Sequence, residues 1–322
     1  MIGMKENGIR FGRYFKEYQW SNVFAMIKNN RKYPRICETD CKNHLVVITG
    51  ATSGIGYYVA RKFASKGANL ICINRNKEKS EHLKQEIENE FGVTCDYFIA
   101  DLSSIREVNL AVDFLLKIDR PIDVFIHNAG VYLTHKELTE EGIEKVFMVQ
   151  YLSSFIINYK LIDKFKAQNK ARIIMVNSEG HRFAAWGLRL DDLNWSKRKY
   201  SGLKSYGSAK LAQLLSMRCL DEIFRGSGVT INAMHPGAVK TETGQENGWL
   251  YKWYKKNILD KTLRPATISA EAIYYLSLSN EIETVSGHFF NLTTIEEPAP
   301  PALDTDIAKL LWSISLKMGK LE

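Results

Sequence analysis

Short apolar runs alternate with longer amphipathic stretches along most of this chain. The stretch Lys77–Phe91 carries Leu83 and Ile87 at four-residue spacing, which places both side chains on one face of a helix. The short apolar runs are typical of buried strands. The predicted strands are Leu45–Thr49, Asn69–Ile73, Cys95–Ala100, Ile122–His127, Arg172–Asn177, Val229–Met234 and His288–Leu292.

This alternation predicts an α/β fold. Strands that are separated by helix-length segments pair in parallel through right-handed crossovers. Continuously apolar strands such as Val124–Ile126 and Ile173–Val176 indicate a sheet that is covered on both faces. We therefore expect a single doubly wound, Rossmann-type parallel sheet of about seven strands, with helices on both faces and ligands at the carboxyl ends of the strands.

The same pattern predicts one domain over residues 44–322, preceded by an extension over residues 1–43. The Pro-rich stretch Glu296–Pro301 predicts an exposed linker. Residues 305–318 then predict a C-terminal helix. No internal repeat and no second domain emerge from the pattern.

A glycine-rich turn, Thr49-Gly50-Ala51-Thr52-Ser53-Gly54-Ile55-Gly56, follows the first predicted strand and opens a helical pattern. Glycines let backbone amides approach a pyrophosphate, and the helix N-terminus adds a positive dipole there. Glycines also serve ordinary turns, so this prediction of a dinucleotide site depends on later motifs as well. The candidate cofactor contacts in the turn are Gly50, Ser53, Gly54, Ile55 and Gly56.

The second predicted strand ends without the acidic residue that would bind the ribose hydroxyls of NAD. Arg75 stands there instead, 19 residues after Gly56. It could pair with the 2′-phosphate of NADP, or it could be a solvated surface arginine. The first interpretation favours NADP(H) over NAD(H).

The third and fourth predicted strands also end in candidate cofactor contacts. Asp101, followed by Leu102, could accept a hydrogen bond from the adenine amino group, or it could cap the next helix. Asn128, Ala129 and Gly130 would let the backbone lie against the adenosine ribose, or they could form a plain turn.

The segment Tyr206-Gly207-Ser208-Ala209-Lys210 carries the candidate catalytic pair. Four-residue spacing places Tyr206 and Lys210 on one helical face. A free phenol has a pKa of about 10, too high for a base near neutrality. A neighbouring ammonium and a positive nicotinamide would both favour the phenolate and lower that pKa. Tyr206 is therefore the candidate acid and base, although this motif alone is common by chance.

Two further elements lie at strand ends, on the side where ligands are expected. Ser178 follows the fifth strand, where its hydroxyl can bond a substrate carbonyl. His235-Pro236-Gly237-Ala238-Val239-Lys240-Thr241 follows the sixth strand, where a Pro-Gly turn can wrap the nicotinamide. Candidate cofactor contacts from these elements and the helix are Tyr206, Lys210, Pro236, Gly237, Val239 and Thr241.

The chain of 322 residues has a net charge of +8, to which residues 1–44 contribute nine basic and four acidic residues. No nucleic-acid-binding motif accompanies this charge. No apolar run is long enough for a membrane span, and charges interrupt every candidate signal-peptide core. We therefore expect a cytoplasmic protein that is not secreted. The aromatic, basic extension predicts either a helix packed on the body or an interfacial helix in peripheral contact with an anionic membrane.

Five cysteines in a chain of this length do not make a disulfide framework, so reduced thiols are expected. Cys37 and Cys41 lie near His44, but the sequence supplies no fourth ligand beside them. We therefore expect no metal site.

Together these motifs resemble the short-chain dehydrogenase/reductase superfamily over about residues 44–320. TGATSGIG, NAG, YGSAK and HPGAVKT occur in the family's order, and Leu190–Asn194, Tyr200 and Leu311-Trp312 are similar to the retinol dehydrogenase-like branch. The resemblance implies NAD(P)(H), hydride transfer to or from carbon, Tyr206 as acid/base, Lys210 on the nicotinamide ribose and Ser178 polarising the carbonyl. Because family members often dimerise, it also implies a homodimer.

Three features depart from the family pattern. His127 replaces an asparagine before Asn128, which bears on hydrogen bonding at that strand end. Gln150 stands where the family has a catalytic asparagine, and it adds one methylene to the side chain. The extension also lacks the apolar anchor of many relatives.

Residues 243–268 correspond to the family's substrate-covering insertion and include Trp249, Trp253 and Tyr254. These aromatics either cap a lipophilic substrate of the retinoid, prenoid, steroid or fatty-aldehyde class, or simply seal a helix against the body. The predicted function is NADP(H)-dependent interconversion of a carbonyl and an alcohol in lipid metabolism. The alternatives are a catalytically weak NADP(H)-sensing protein that docks a partner, and a reductase for a soluble substrate.

Overall fold

A computed structural model of the chain describes residues 14–30, 32–239 and 264–322. Its strands form one sheet with the order β3-β2-β1-β4-β5-β6-β7-β8, in which each neighbouring pair is parallel except the antiparallel pair β7–β8. The strands are β1 (Leu45–Thr49), β2 (Asn69–Asn74), β3 (Cys95–Ile99), β4 (Val124–His127), β5 (Ala171–Val176), β6 (Val229–His235), β7 (Phe289–Asn291) and β8 (Thr294–Ile295).

Helices cover both faces of this sheet. A π-helical turn, Met148–Leu152, joins two of them, and a 3-10 turn, Glu179–Ala184, follows β5. The α-helices are α1 (Trp20–Asn29), α2 (Gly54–Ser65), α3 (Lys77–Phe91), α4 (Ile105–Leu116), α5 (Lys145–Phe147), α6 (Ser153–Gln168), α7 (Gly202–Phe224), α8 (Thr267–Leu278) and α9 (Thr305–Met318).

The two faces of the sheet build two hydrophobic cores. In β1, Val47 packs into the core shared with α4, α6 and α7, whereas Val46 and Ile48 pack into the core shared with α2 and α8. This division follows from the alternation of side chains along a strand. Both sides of β1 are buried, which explains why it is continuously apolar.

The order of the strands reverses beside β1. Val47 pairs with Ile71 of β2 on one side and with Phe125 of β4 on the other. The connections that leave β1 and β4 therefore diverge, and a crevice opens outside the carboxyl ends of these strands. The predicted cofactor residues follow these strand ends in sequence.

The described part of the N-terminal extension lies against the body of the protein. Tyr14 is buried and its hydroxyl donates to Asp304 at 2.8 Å. The Tyr18 hydroxyl donates to the carbonyl oxygen of Ala185 at 3.1 Å, on the loop after the 3-10 turn. These contacts accord with the interpretation of a packed helix. Among the described helices, none combines the length and the apolar composition of a transmembrane span.

The predicted α/β fold is confirmed, and each predicted strand ends within one or two residues of the observed one. The C-terminal helix spans the predicted residues, Thr305–Met318. The short strand β8 was not predicted. The prediction of an exposed linker over Glu296–Pro301 is wrong, because Glu296, Ala299 and Pro301 are buried by tertiary contacts.

Candidate functional site

The glycine-rich turn lies between β1 and α2 and has no room for side chains at two of its glycines. Gly50 has a φ of +70°, and an added Cβ would lie 2.9 Å from the Ala129 Cα. An added Cβ on Gly56 would overlap the Gly50 carbonyl oxygen and would lie 2.5 Å from Asn128 Nδ2. Glycine is therefore required here by close approach, and the left-handed φ reinforces this requirement at Gly50.

Polar side chains from neighbouring strand ends hold this turn in place. Asn128 Nδ2 donates to the carbonyl oxygens of Thr49 and Gly50, at 3.1 and 2.9 Å. Asn74 Oδ1 accepts from the Ala51 backbone N–H at 2.8 Å. Ser53 is the N-cap residue of α2, but its side chain makes no capping hydrogen bond, so its hydroxyl is available to a ligand.

A cavity of about 520 Å³ runs along the carboxyl ends of β1 to β6, which is within the usual size of a ligand site. Gly56 lies behind the turn rather than at the cavity wall, and Thr241 lies outside the described residues, together with residues 240–263. The remaining predicted cofactor and catalytic residues all line it: Gly50, Ser53, Gly54, Ile55, Arg75, Asp101, Leu102, Asn128, Ala129, Gly130, Ser178, Tyr206, Lys210, Pro236, Gly237 and Val239.

Besides the predicted Arg75, a basic residue that the sequence analysis did not single out also lines this end of the cavity. Lys79, in the first turn of α3, also lines the wall. Asp101 does not cap α4, because Ser104 takes that position. Instead, Asp101 Oδ1 accepts from the Ser103 backbone N–H at 2.8 Å. Of the two roles considered for Asp101, helix capping is therefore excluded.

Ser178 and Tyr206 lie close together at the edge of the cavity, both beside Gly180. The Ser178 Oγ also accepts from the Gly180 backbone N–H at 3.0 Å. A Cβ on Gly180 would lie 2.5 Å from the Tyr206 Cε1, so this glycine lets the ring pack against the loop. Burial raises the pKa of Tyr206, and the neighbouring Ser178 hydroxyl partly opposes that rise.

Lys210 is buried behind Tyr206, with its Nζ 5.8 Å from the centre of the tyrosine ring. Its Nζ donates to the Val176 carbonyl oxygen at 2.7 Å and to Gln213 Oε1 at 3.2 Å. Burial lowers the pKa of Lys210 to about 7. The net effect of the folded protein is to raise the pKa of Tyr206, mainly through burial. The sequence had predicted a lower pKa, caused by Lys210.

Gln213 was missed by sequence reasoning, although it orders this part of the site. Its Oε1 accepts from Lys210 Nζ and from Asn177 Nδ2, the latter at 2.9 Å. Asn177 Oδ1 in turn accepts from the Ser178 backbone N–H at 2.8 Å. A hydrogen-bonded chain thus links Lys210 to Ser178. The only sequence signal for Gln213 is that a polar residue lies within the apolar run of α7.

Gln150 lies in the π-helical turn and points toward the loop after β4. Its Nε2 donates to the Val131 carbonyl oxygen at 2.8 Å, and its Oε1 is buried without a hydrogen-bond partner among the described residues. Isolated π-helical turns are frequent at functional sites. The side chain also lines the cavity, so its free oxygen can accept a hydrogen bond from a ligand or water.

His127 points away from the cavity. Its Nε2 lies 2.9 Å from Asn158 Oδ1 on α6, so this nitrogen carries the proton, and its ring stacks on Phe125. Burial lowers the pKa of His127 to about 4. The strand-end hydrogen bonds are made instead by the backbone N–H groups of Asn128 and Ala129, which both donate to Thr49 Oγ1 at 3.0 Å.

Comparison with known proteins places these features in a family. The model of the short chain dehydrogenase family matches residues 44–187. Human retinol dehydrogenase 13 is 33% identical over 285 residues, which cover 86% of this chain and 85% of that protein. The chloroplastic short-chain dehydrogenase TIC 32 A of Brassica napus is 31% identical, over 87% of this chain and 89% of that protein.

Solved structures share the fold. Levodione reductase superposes with a TM-score of 0.63 at 20% identity, over 83% of this chain and 98% of that chain. A short-chain dehydrogenase from Sphingobium yanoikuyae in complex with NADPH superposes with a TM-score of 0.58 at 24% identity, over 72% of this chain and 82% of that chain. At these identities the likeness concerns the fold alone.

Proposed function

Because this chain belongs to the short chain dehydrogenase family, in its retinol dehydrogenase-like branch, we propose that it uses NADP(H) to interconvert a carbonyl and an alcohol on a lipophilic substrate. Membership makes the protein an oxidoreductase that acts on CH–OH and C=O groups. The observation that carries the finer proposal is the meeting of Ser178, Tyr206 and Lys210 at the wall of the cavity that the glycine turn opens.

The groups that line the cavity are suited to bind a dinucleotide. The glycine turn lines the cavity, and α2 begins at Gly54 with the positive end of its dipole toward the cavity, where a phosphate is stabilised. Gln150 adds a buried amide oxygen without a partner among the described residues. When bound, the nicotinamide supplies or accepts the hydride at the substrate carbon.

Tyr206 and Ser178 would handle the substrate oxygen. The Gly180 backbone N–H donates to Ser178 Oγ, so the serine can direct its own proton to the Tyr206 oxygen or to a substrate oxygen. Because burial raises the pKa of Tyr206, its phenol holds its proton near neutrality and can donate it to the developing alkoxide. In the oxidative direction the phenol must lose this proton first, and positive charge near it favours that loss.

Lys210 is suited to bind a hydroxyl group of the cofactor. Val176 and Gln213 accept two of the three N–H bonds that an ammonium offers, which leaves one for another acceptor. With its pKa lowered to about 7, Lys210 can also exchange a proton near neutrality. Both properties suit a residue that links the cofactor to Tyr206.

Two observations support NADP(H) over NAD(H). Strand β2 ends in Asn74 rather than in an acidic residue, and Arg75 and Lys79 both line the cavity beyond it. A 2′-phosphate carries close to two negative charges near neutrality, so it pairs with such cations and gains charge-assisted hydrogen bonds.

The lipophilic class of substrate is supported by relatives and by the cavity wall. Two of the relatives are named retinol dehydrogenases 13 and 14. Val131, Tyr132 and Val149 line the cavity close to the candidate catalytic groups, and the rings of Tyr132 and Tyr206 lie 6.0 Å apart. Apolar and aromatic lining with few polar groups is typical of sites for small lipophilic molecules.

The test is a substrate panel assayed by NADPH oxidation. The panel comprises retinal, prenals, medium- and long-chain aldehydes and a short hydrophilic aldehyde, and each active substrate is repeated with NADPH that carries deuterium at the transferable position. We expect turnover with the lipophilic members and deuterium in the alcohol carbon. Turnover with the hydrophilic aldehyde alone would contradict the substrate class. Tight NADPH binding without any turnover would favour an NADP(H)-sensing protein instead.

A further inference from the structure

The backbone of Ser178 is fixed by a buried histidine. His181 Nδ1 lies 2.8 Å from the Ser178 carbonyl oxygen, and its Nε2 accepts from the Ala299 backbone N–H at 3.0 Å. Because Nε2 is the acceptor, Nδ1 carries the proton and donates to Ser178. His181 is fully buried, and burial lowers its pKa to about 3, so the ring stays neutral in this bridge.

A half-buried arginine makes a second connection from the same turn. Arg182 Nε lies 2.6 Å from Glu179 Oε2, and its NH2 group lies 3.1 Å from Glu296 Oε1 and 3.0 Å from the Glu297 carbonyl oxygen. The Glu296 side chain is only 2% exposed. Residues 296–299, which we call the bracing segment, therefore hold the 3-10 turn after Ser178 at two points.

The N-terminal extension contacts both the bracing segment and the end of the 3-10 turn. Asn29 at the end of α1 donates from Nδ2 to Glu296 Oε2 at 2.8 Å, and both side chains are buried. Tyr18 donates to the Ala185 carbonyl oxygen, directly after the 3-10 turn. The extension thus fixes the carboxylate that Arg182 binds and the far end of the turn that carries Arg182.

We propose that the bracing segment positions Ser178 through His181 and Arg182, and that Asn29 of the N-terminal extension holds the bracing segment in place. His181, Arg182, Glu296 and Asn29 are then positioning residues that touch neither substrate nor cofactor. The proposal rests on the proposed function only in that it takes Ser178 to act on the substrate oxygen.

The reason lies in the short side chain of serine. A serine hydroxyl has one rotatable bond from the backbone, so the position of the Ser178 backbone sets where Oγ can point. Small misplacements of reacting groups cause large losses of rate. Glu296→Gln also removes the charge from the buried carboxylate that accepts from both Arg182 and Asn29, so it weakens the connection between the bracing segment and the turn.

The first experiment compares Glu296→Gln with Glu297→Gln in the full chain. Both substitutions remove one negative charge, but the Glu297 residue is exposed and binds Arg182 only through its backbone. We expect Glu296→Gln to speed hydrogen exchange over residues 179–184 and to lower kcat by about tenfold, with unchanged NADPH affinity. Glu297→Gln should match the parent in all three measurements.

A second comparison asks whether the effect passes through Ser178. With the aldehyde that the parent reduces fastest, we expect Glu296→Gln to cost little further rate once Ser178→Ala is present. Independent losses in the double variant would overturn the proposal, as would parental exchange rates over residues 179–184 in Glu296→Gln. Asn29→Ala removes the same support from outside the turn and should reproduce both effects if Glu296→Gln does not fold.

Two variants distinguish the role of Ser178 in the reaction from its positioning by the bracing segment. If Ser178→Ala turns over like the parent, the role of Ser178 in the proposed function is wrong, and so is its positioning by the bracing segment. If Ser178→Ala is impaired while Glu296→Gln retains parental turnover, only the positioning role of the bracing segment is wrong.

Discussion

Tyr206 is half-buried beside the buried Lys210, and loss of solvent shifts the pKa values of the two residues in opposite directions. It disfavours the phenolate and the ammonium alike, so it raises the pKa of Tyr206 and lowers that of Lys210 to about 7. The spacing of the two residues in sequence predicted their shared helical face, but it carried no information about burial. Lys210 instead bonds to Val176 and Gln213, contacts that only the folded chain brings together.

Gly180 gives a residue-scale prediction about Tyr206. Gly180→Ala would place a Cβ 2.5 Å from Tyr206 Cε1, so the Tyr206 ring and the loop after Ser178 must move apart. We expect kcat to fall by about tenfold or more, with unchanged NADPH affinity, in steady-state kinetics and binding titrations. Parental kcat would show that the ring position is not critical.

Gly92→Ala is the control for this variant. Its added Cβ meets no atom within 4 Å, but its φ of +65° strains an alanine. It should lower the free energy of unfolding by about 1 kcal/mol and leave kcat unchanged. A loss of kcat in both variants would indicate a general effect of destabilisation.

At the scale of elements, the end of β2 and the first turn of α3 determine the proposed cofactor preference. Arg75→Ala and Lys79→Ala should each weaken NADPH binding by about tenfold and leave NADH binding nearly unchanged, because only NADPH carries the 2′-phosphate. Lys77→Ala is the matched control, since Lys77 also begins α3 but does not line the cavity. Fluorescence titration of each variant with NADPH and with NADH measures the two affinities. Equal losses for NADPH and NADH would refute the preference.

The strands and their parallel pairing could be inferred from the sequence because apolar runs of strand length alternate with helical periodicity. Strand β8 was missed since it has two residues and exists through its antiparallel pairing with β7. The segment 296–301 was taken for an exposed linker from its prolines and acids. Its burial depends on Arg182, His181 and Asn29, which are distant in sequence and carry no local signal.

In the candidate site, too, only residues with a local sequence signal could be predicted. Residues at strand ends were predicted because parallel strands bring their carboxyl ends to one edge of the sheet. Lys79, Gln213 and His181 were missed because they lie within helices or turns rather than at strand ends. A polar residue in such a position usually faces solvent and gives no sign of a functional contact. The function of Gln150 was left open by its extra methylene, and the π-helical turn that carries it could not be foreseen from periodicity.

For the whole molecule, buried neutral histidines predict sensitivity to acid. Burial lowers the pKa of His127 to about 4, whereas an unfolded histidine titrates near 6.5. Between these values the unfolded chain binds more protons than the folded one, so the free energy of unfolding falls as pH falls. His181 and His235, with pKa values lowered to about 3 and about 4, act in the same direction.

His127→Asn should therefore reduce the loss of stability on acidification. Urea unfolding at pH 7.5 and pH 5, two values chosen to span this window, gives the difference in unfolding free energy for each variant. We expect that difference to be smaller in His127→Asn than in the parent, and unchanged in His82→Asn, whose side chain is 81% exposed. An identical acid dependence in all three proteins would contradict the buried neutral state of His127.

The most direct test of the account is the Tyr206→Phe variant, which removes one oxygen atom from the wall of the cavity. NADPH affinity and turnover of the best aldehyde are measured together, with Tyr58→Phe on the exposed face of α2 as the control. We expect parental NADPH affinity and a fall in kcat of at least about a hundredfold for Tyr206→Phe alone. Turnover in Tyr206→Phe equal to that of the parent would contradict the central claim that this phenol transfers the proton.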